Sequence, residues 1–288
     1  MPFSLLDPPL HAIGVLILGL IVGSFLTVVA ARLPAMLQRR WAADCAQLGD
    51  APSPPDPSAP THRFDLAYPP SHCPRCAAPL RWWHNLPLLS FAILRGRCGH
   101  CSHPIAWRYP LIEATSGALS VIVYMQLGSA QGLWGLPLLW GLIALSAIDL
   151  EHQLLPDSLT LGLLWAGLLL ATQSVFAAPA DAIIGAAAGF GSLWLIAAAF
   201  RHVTGRDGMG RGDFKLFAAL GAWLGWSALP LVLLLASLSG AAVGIARLLI
   251  SGQRAALPFG PHLAGAGLLA LLYGDALIDG YWNWALGH

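Results

Sequence analysis

Charge is what this sequence has least of. Asp, Glu, Lys and Arg make up 10% of its 288 residues, whereas a soluble domain carries about 25%. So little charge cannot clothe a water-facing surface, and 57% of the residues are hydrophobic. The class is integral membrane. The net charge of +1 says nothing about nucleic acid; the expected partners are the bilayer and a protein substrate, with no nucleic acid. No Lys or Arg stands before the first apolar run, where a cleaved signal peptide would carry its basic region. Also missing are a Gly-rich Rossmann loop and any Ser–His–Asp or Cys–His arrangement. Ser24, in "GSF", has no base nearby in the sequence.

What is present are long apolar runs, and about 20 residues suffice to cross a bilayer. Eight are legible, roughly at 11–31, 111–128, 133–150, 158–177, 182–200, 214–228, 229–249 and 261–284. The expected fold is an all-α integral membrane protein of about eight transmembrane helices with a small cytoplasmic zinc-binding module. Nine of the fifteen Lys and Arg lie between Arg32 and Arg108. Arg201, Arg206, Arg211 and Lys215 lie between the fifth and sixth runs, and Arg247 and Arg254 flank the next connection on the same side. With eight crossings these all fall on one face, which the positive-inside rule places in the cytoplasm. A multi-pass protein of a bacterial inner membrane, both termini outside the cytoplasm, is expected.

The polar stretch between the first two spans divides in two. Residues 32–63 are rich in Pro, Ala, Ser and Asp and read as a poorly ordered cytoplasmic linker. Residues 64–110 hold cysteines, tryptophans and turn residues and read as a folded module. The segment 1–31 is then the first transmembrane helix and 111–288 a polytopic membrane domain. In the module, "CPRC" (Cys73, Cys76) and "CGHC" (Cys98, Cys101) are separated by twenty-one residues. Two such knuckles can converge on one tetrahedral Zn²⁺, and a module this small needs the stability a metal supplies. Two disulfides are the competing reading, which a reducing cytoplasm disfavours; a redox motif would need only one knuckle. His72, His100 and His103 read as solvated or supporting residues, because four sulfurs complete the metal's shell.

Two carboxylates stand where greasy segments meet water. Asp149 ends an unbroken apolar run at a helix C-terminus, where the helix dipole disfavours an anion; Asp213, in "GMGRGDFKL", opens a run where the dipole favours one. Alone, Asp213 reads as an ordinary helix-start residue. Both fall on the face expected to be cytoplasmic, and an acid at the edge of a span is costly and usually functional. A pair of carboxylates can divide acid and base roles in peptide hydrolysis. Gly210 and Gly212 would let an extended substrate approach Asp213. Asp157, in "LLPD", reads either as the cap of the fourth span or as a residue that helps hold the site, the cap being preferred.

In order along nearly the whole chain, "GLIVGSFLTVVAARLP", "FDLAYPPSHCPRC", "HNLPLLSFAILRGRCGHCSHPIAWRYPLIEATSG", "AIDLEHQLLPD", "GMGRGDFKL" and "LPFGPHLAGAG" resemble the type IV prepilin leader peptidase / N-methyltransferase family, membrane aspartic proteases of the GxGD type. The resemblance implies cleavage of a basic leader from prepilins and pseudopilins on the cytoplasmic face. N-methylation of the new N-terminal residue with S-adenosylmethionine would follow. By motif matching, Asp149 and Asp213 are the catalytic pair, Cys73, Cys76, Cys98 and Cys101 the family's cysteine tetrad, and Glu113 a family carboxylate for cofactor or substrate-amine binding. Thr27 stands where the family usually has Asn, and His262 where Phe is usual. Two other readings are a presenilin-like GxGD intramembrane protease, which pairs Tyr-Asp with Pro-Ala-Leu where this chain has Ile148-Asp149 and "LPFGP", and a non-enzymatic transporter or scaffold clipped by zinc. A transporter needs a polar path across the bilayer, and the acids tied to motifs cluster at one edge.

Overall fold

The computed structural model describes residues 8–47, 64–80, 83, 86–252 and 257–286. Each of the eight apolar runs carries a helix: α1 (Pro8–Gln47), α3 (Arg108–Leu127), α4 (Ser129–His152), α5 (Asp157–Ala171), α6 (Pro179–Thr204), α7 (Arg211–Leu224), α8 (Leu229–Ser251) and α9 (Gly260–Leu286). A five-residue helix, α2 (Leu89–Ile93), lies in the polar module. The described residues contain no strand, only two isolated bridges. Six helices are long and apolar enough to cross a membrane. The other two, α5 and α7, have 15 and 14 residues. At 1.5 Å per residue they reach about 22 Å, short of a hydrocarbon core of about 30 Å. Gly225, with a positive φ of 79°, stops α7, and a 3₁₀ turn at Trp226–Ala228 leads into α8.

The segment read as a linker from residue 32 is helical as far as Gln47, because α1 continues without a break. Its residues 35–47 are mainly Ala, Leu, Met, Gln and Arg, all good helix formers. The rest of that linker, 48–63, lies outside the described residues, as does Arg254.

The chain forms two compact units, Met1–Val121 and Ile122–His288. In the first, α1 and the first half of α3 pack through small residues. Ser116 donates from its hydroxyl to the Gly19 carbonyl at 2.6 Å, and a Cβ on Gly23 would stand 2.9 Å from the Glu113 Cα. That packing is why the unit boundary falls inside α3 and not at residue 110.

In the second unit α7 is the core. Phe214, every residue from Leu216 to Trp223 and Asp213 are buried. The small residues of α6 lie against it: Gly185 meets Gly221 backbone to backbone, and a Cβ on Gly189 would stand 2.6 Å from the Phe217 carbonyl oxygen. Small-residue stripes let helix backbones approach where lipid supplies no hydrophobic drive. The Trp223 indole donates to the Leu163 carbonyl at 2.8 Å, fastening α7 to α5. Replacing Gly221 by Val would drive a side chain into backbone. We expect a loss of about 3 kcal/mol or more, read as a lowered unfolding temperature in detergent, with Gly191→Ala, which meets open space, unchanged.

Candidate active site and metal centre

Two carboxylates are buried in the second unit. Asp149 lies in the last turn of α4 and is 5% exposed; Asp213 lies in the first turn of α7 and is 7% exposed. Chain order brings them to one end of the bundle. α4 ends in Gln153, whose left-handed backbone donates its amide to the Asp149 carbonyl at 2.9 Å, and Pro156 restarts the chain as α5. α6 ends at Gly205 (φ 69°), and Gly210 opens α7.

Backbone groups set the geometry. The Gly260 amide, at the start of α9, donates to Asp149 Oδ2 at 2.9 Å in a buried bond. A Cβ on Gly260 would stand 2.6 Å from that oxygen, so only glycine fits. Leu155, in the α4–α5 connection, packs against both sides of the site: a Cβ on Gly212 would lie 2.7 Å from the Leu155 Cβ, and one on Gly260 3.0 Å from its Cδ2. The space beside Gly212 is therefore taken by Leu155. Asp157 does not cap α5. Pro156 holds the N-cap position without a side-chain bond, while Asp157 accepts from Lys215 Nζ at 2.6 Å, joining the starts of α5 and α7. His262 places Nδ1 3.1 Å from the Ser239 hydroxyl, linking α9 to α8 where an apolar ring was expected.

In the first unit the four knuckle sulfurs, Cys73, Cys76, Cys98 and Cys101, lie within 4.8 Å of one another. Cys73 Sγ and Cys101 Sγ are 3.8 Å apart, about the edge of a tetrahedron with Zn–S bonds of about 2.3 Å. None is in a disulfide, and no histidine joins the cluster among the described residues. The sulfurs are built by two copies of one turn. Cys73 N donates to the Ala78 carbonyl and Ala77 N to the Cys73 carbonyl; Cys98 N and Ser102 N repeat this with His103 and Cys98. Ala77 and Ser102 are both left-handed, and the bridges His72–Pro79 and Arg97–Pro104 close each turn. The shared pattern C-x-x-C-x-x-P is the signal for this local repeat.

The amides of Cys76 and Arg75 point at the Cys73 sulfur and hold its thiol down at about 6. Those of Cys101 and His100 lower Cys98. Cys76 receives the Ala78 amide, yet burial and its sulfur neighbours push it up to about 11. Four thiols this close cannot all ionise unless a cation stands among them, and a soft divalent metal fits that donor set.

Glu113, the remaining sequence candidate, sits in the first turns of α3. Its Oε2 accepts the Leu88 amide at 2.9 Å, and Ser24 of α1 also hydrogen-bonds it. Leu88 has a positive φ of 58°. Leu88, Leu155 and Gly260 lie within stretches that carry the family resemblance, but no side-chain chemistry marked them as parts of either site.

A family model described as "Bacterial Peptidase A24 N-terminal domain" matches residues 17–127, and one described as "Type IV leader peptidase family" matches residues 136–245. Curated relatives named prepilin leader peptidase/N-methyltransferase are similar over almost their full length. The protein of Aeromonas salmonicida (strain A449) is 49% identical over 279 residues, 95% of this chain and 94% of the relative. That of Stutzerimonas stutzeri is 46% identical over 282 residues, 97% and 96% of the two chains, and that of Pseudomonas putida 45% over 278, 96% and 95%. No solved structure matches the chain significantly. With buried acids at the ends of two apolar helices, four convergent cysteines and relatives this close, the chain belongs to the type IV leader peptidase family.

Proposed function

We propose that this chain cleaves the leader from type IV prepilins and pseudopilins and then N-methylates the new N-terminal residue. What supports the reading is that Asp149 and Asp213, buried acids on two separate helices, are both tied to Leu155, which packs against Gly212 beside Asp213 and against Gly260, whose amide bonds Asp149. Two neighbouring carboxylates share one proton. The ionised one takes a proton from water as its oxygen attacks the scissile carbonyl carbon. The protonated one gives its proton to the carbonyl oxygen. Collapse of the tetrahedral adduct breaks the C–N bond as the aspartate that took water's proton gives it to the leaving nitrogen, while the hydroxyl proton returns to the other aspartate; a free amine, a carboxyl group and the original pair result. The Gly260 amide keeps Asp149 oriented through these steps, and the Asp157–Lys215 pair fixes the start of α7, two residues after Asp213.

Methylation needs that amine, so cleavage comes first. Cys73, Cys76, Cys98 and Cys101 would hold Zn²⁺ as a fold-stabilising centre, with no open position for chemistry. S-adenosylmethionine would supply the methyl group. The clustering of Lys and Arg supports a cytoplasmic position for the 64–110 module and for the two acids, in a bacterial inner membrane with both termini outside. The polytopic part from residue 111 would be the protease domain.

Mass spectrometry of a pilin N-terminus, in cells with and without this protein, reads both steps together. With the protein, the leader mass is lost and one methyl, about 14 Da, is gained. An unprocessed pilin in the presence of the protein would overturn the reading.

A further inference from the structure

The connection from Gln153 to Pro156 joins α4 to α5, and it is fastened to both helices that carry the acids. At its start the Gln153 amide donates to the carbonyl of Asp149 itself, at 2.9 Å. Just past its end Asp157 accepts from Lys215 Nζ at 2.6 Å, on α7 two residues beyond Asp213. Connections between helices normally run over the surface, and Gln153 is exposed. Leu155 instead turns inward, 7% exposed, and joins the core that contains Phe214 and Leu216 of α7 and Leu263 of α9.

There its side chain is seated between two glycines. The atoms nearest to a Cβ built on Gly212 would all belong to Leu155: its Cβ at 2.7 Å, its carbonyl oxygen at 3.3 Å and its Cδ1 at 3.4 Å. Its other branch, Cδ2, would stand 3.0 Å from a Cβ on Gly260. Gly212 directly precedes Asp213 in the chain, and the Gly260 amide holds Asp149 Oδ2 at 2.9 Å. One leucine therefore touches the backbone that carries one acid and the backbone that orients the other. With glycine at both seats, no flexible side chain stands between to absorb a displacement, and a close-packed interior transmits it.

We infer that Leu155 is a positioning residue for peptide cleavage, a wedge whose size sets how Asp149 and Asp213 stand to one another. It acts through Gly212 and Gly260. The inference rests on the cleavage reading above, in which one water and one carbonyl must lie within reach of both carboxylates. Spacing of that kind is exacting, because a misplacement of about 1 Å can cost about 10²-fold in rate.

The test is steady-state cleavage of a prepilin by the purified full-length protein in detergent, with kcat and KM separated. Leu155→Ala removes the wedge and should lower kcat about 10- to 100-fold while KM stays within about threefold. Leu155→Met conserves the volume and should keep kcat within about threefold of the parent. Leu163→Ala is the control. Leu163, in α5, is also 7% exposed and fills a similar seat at Gly141, and it is not among the nearest neighbours of Gly212 or Gly260. Its loss should lower the unfolding temperature as Leu155→Ala does, yet leave kcat within about threefold. Should Leu155→Ala fail to fold, Leu155→Val takes its place. Valine keeps the Cβ at Gly212 but gives up the Cδ2 at Gly260, and about a fivefold loss of kcat is expected. If the leucine-to-alanine change at 155 costs no more kcat than the one at 163, if the loss lies in KM, or if Leu155→Met is as slow, the wedge is wrong while the cleavage reading stands. If the parent leaves the prepilin uncut, the cleavage reading falls and the wedge with it.

Discussion

Asp149→Asn and Asp213→Asn should each stop prepilin cleavage, by about 10³-fold or more, while leaving the protein folded. Asparagine keeps the shape of the buried side chain, and in the Asp149→Asn variant the side-chain carbonyl can still accept the Gly260 amide. The new amide can neither take a proton from water nor deliver one to a carbonyl oxygen. General acid–base catalysis by one group contributes about 10²–10⁴, and losing either member of a pair that shares a proton disables both. The readout is the mobility shift of a prepilin in membranes, with unfolding temperature as the control. A pilin supplied already cleaved should still be methylated by both variants, because its amine is free. Cleavage retained in either variant would remove that aspartate from the mechanism.

The second large effect is expected at the knuckles. Cys73→Ser with Cys76→Ser should release the metal and abolish N-methylation, with cleavage reduced far less. A structural zinc contributes on the order of 10 kcal/mol to folding a small module. The described part of the 64–110 module has only one short helix and two isolated bridges of its own, so it has little else to hold it. Both aspartates belong to the other compact unit. Metal content by mass spectrometry, set beside the mass of the pilin N-terminus, separates the outcomes. Equal loss of both activities would make the module a support for the whole enzyme.

The eight apolar runs and the two acids at their ends were legible because each is a local property of the chain. A span announces itself by length, and an acid beside it by contrast. The lengths of α5 and α7 were less so. α7 stops at Gly225, where φ is positive, and its sides are covered by partners distant in sequence, so nothing local distinguishes it from a full crossing. The extension of α1 to Gln47 was hidden by the prolines that follow, though residues 35–47 are themselves helix-forming. Asp149's partner was out of reach for a different reason. A backbone amide has no side-chain signature, and Gly260 lies 111 residues away. The tetrad was plain from spacing alone, whereas the seat of Leu155 between Gly212 and Gly260 exists only once α4, α7 and α9 have folded together.

The shortness of α5 has a consequence for the surrounding lipid. Its outer face presents Trp165 and Leu169 at 63% and 66% exposure, so in a bilayer the acyl chains would meet an apolar wall of about 22 Å. Hydrophobic mismatch of this kind draws the two leaflets together locally. Next to the start of α7 the bilayer should be dimpled, and the headgroup layer with its water brought nearer to the acids than a flat membrane would allow.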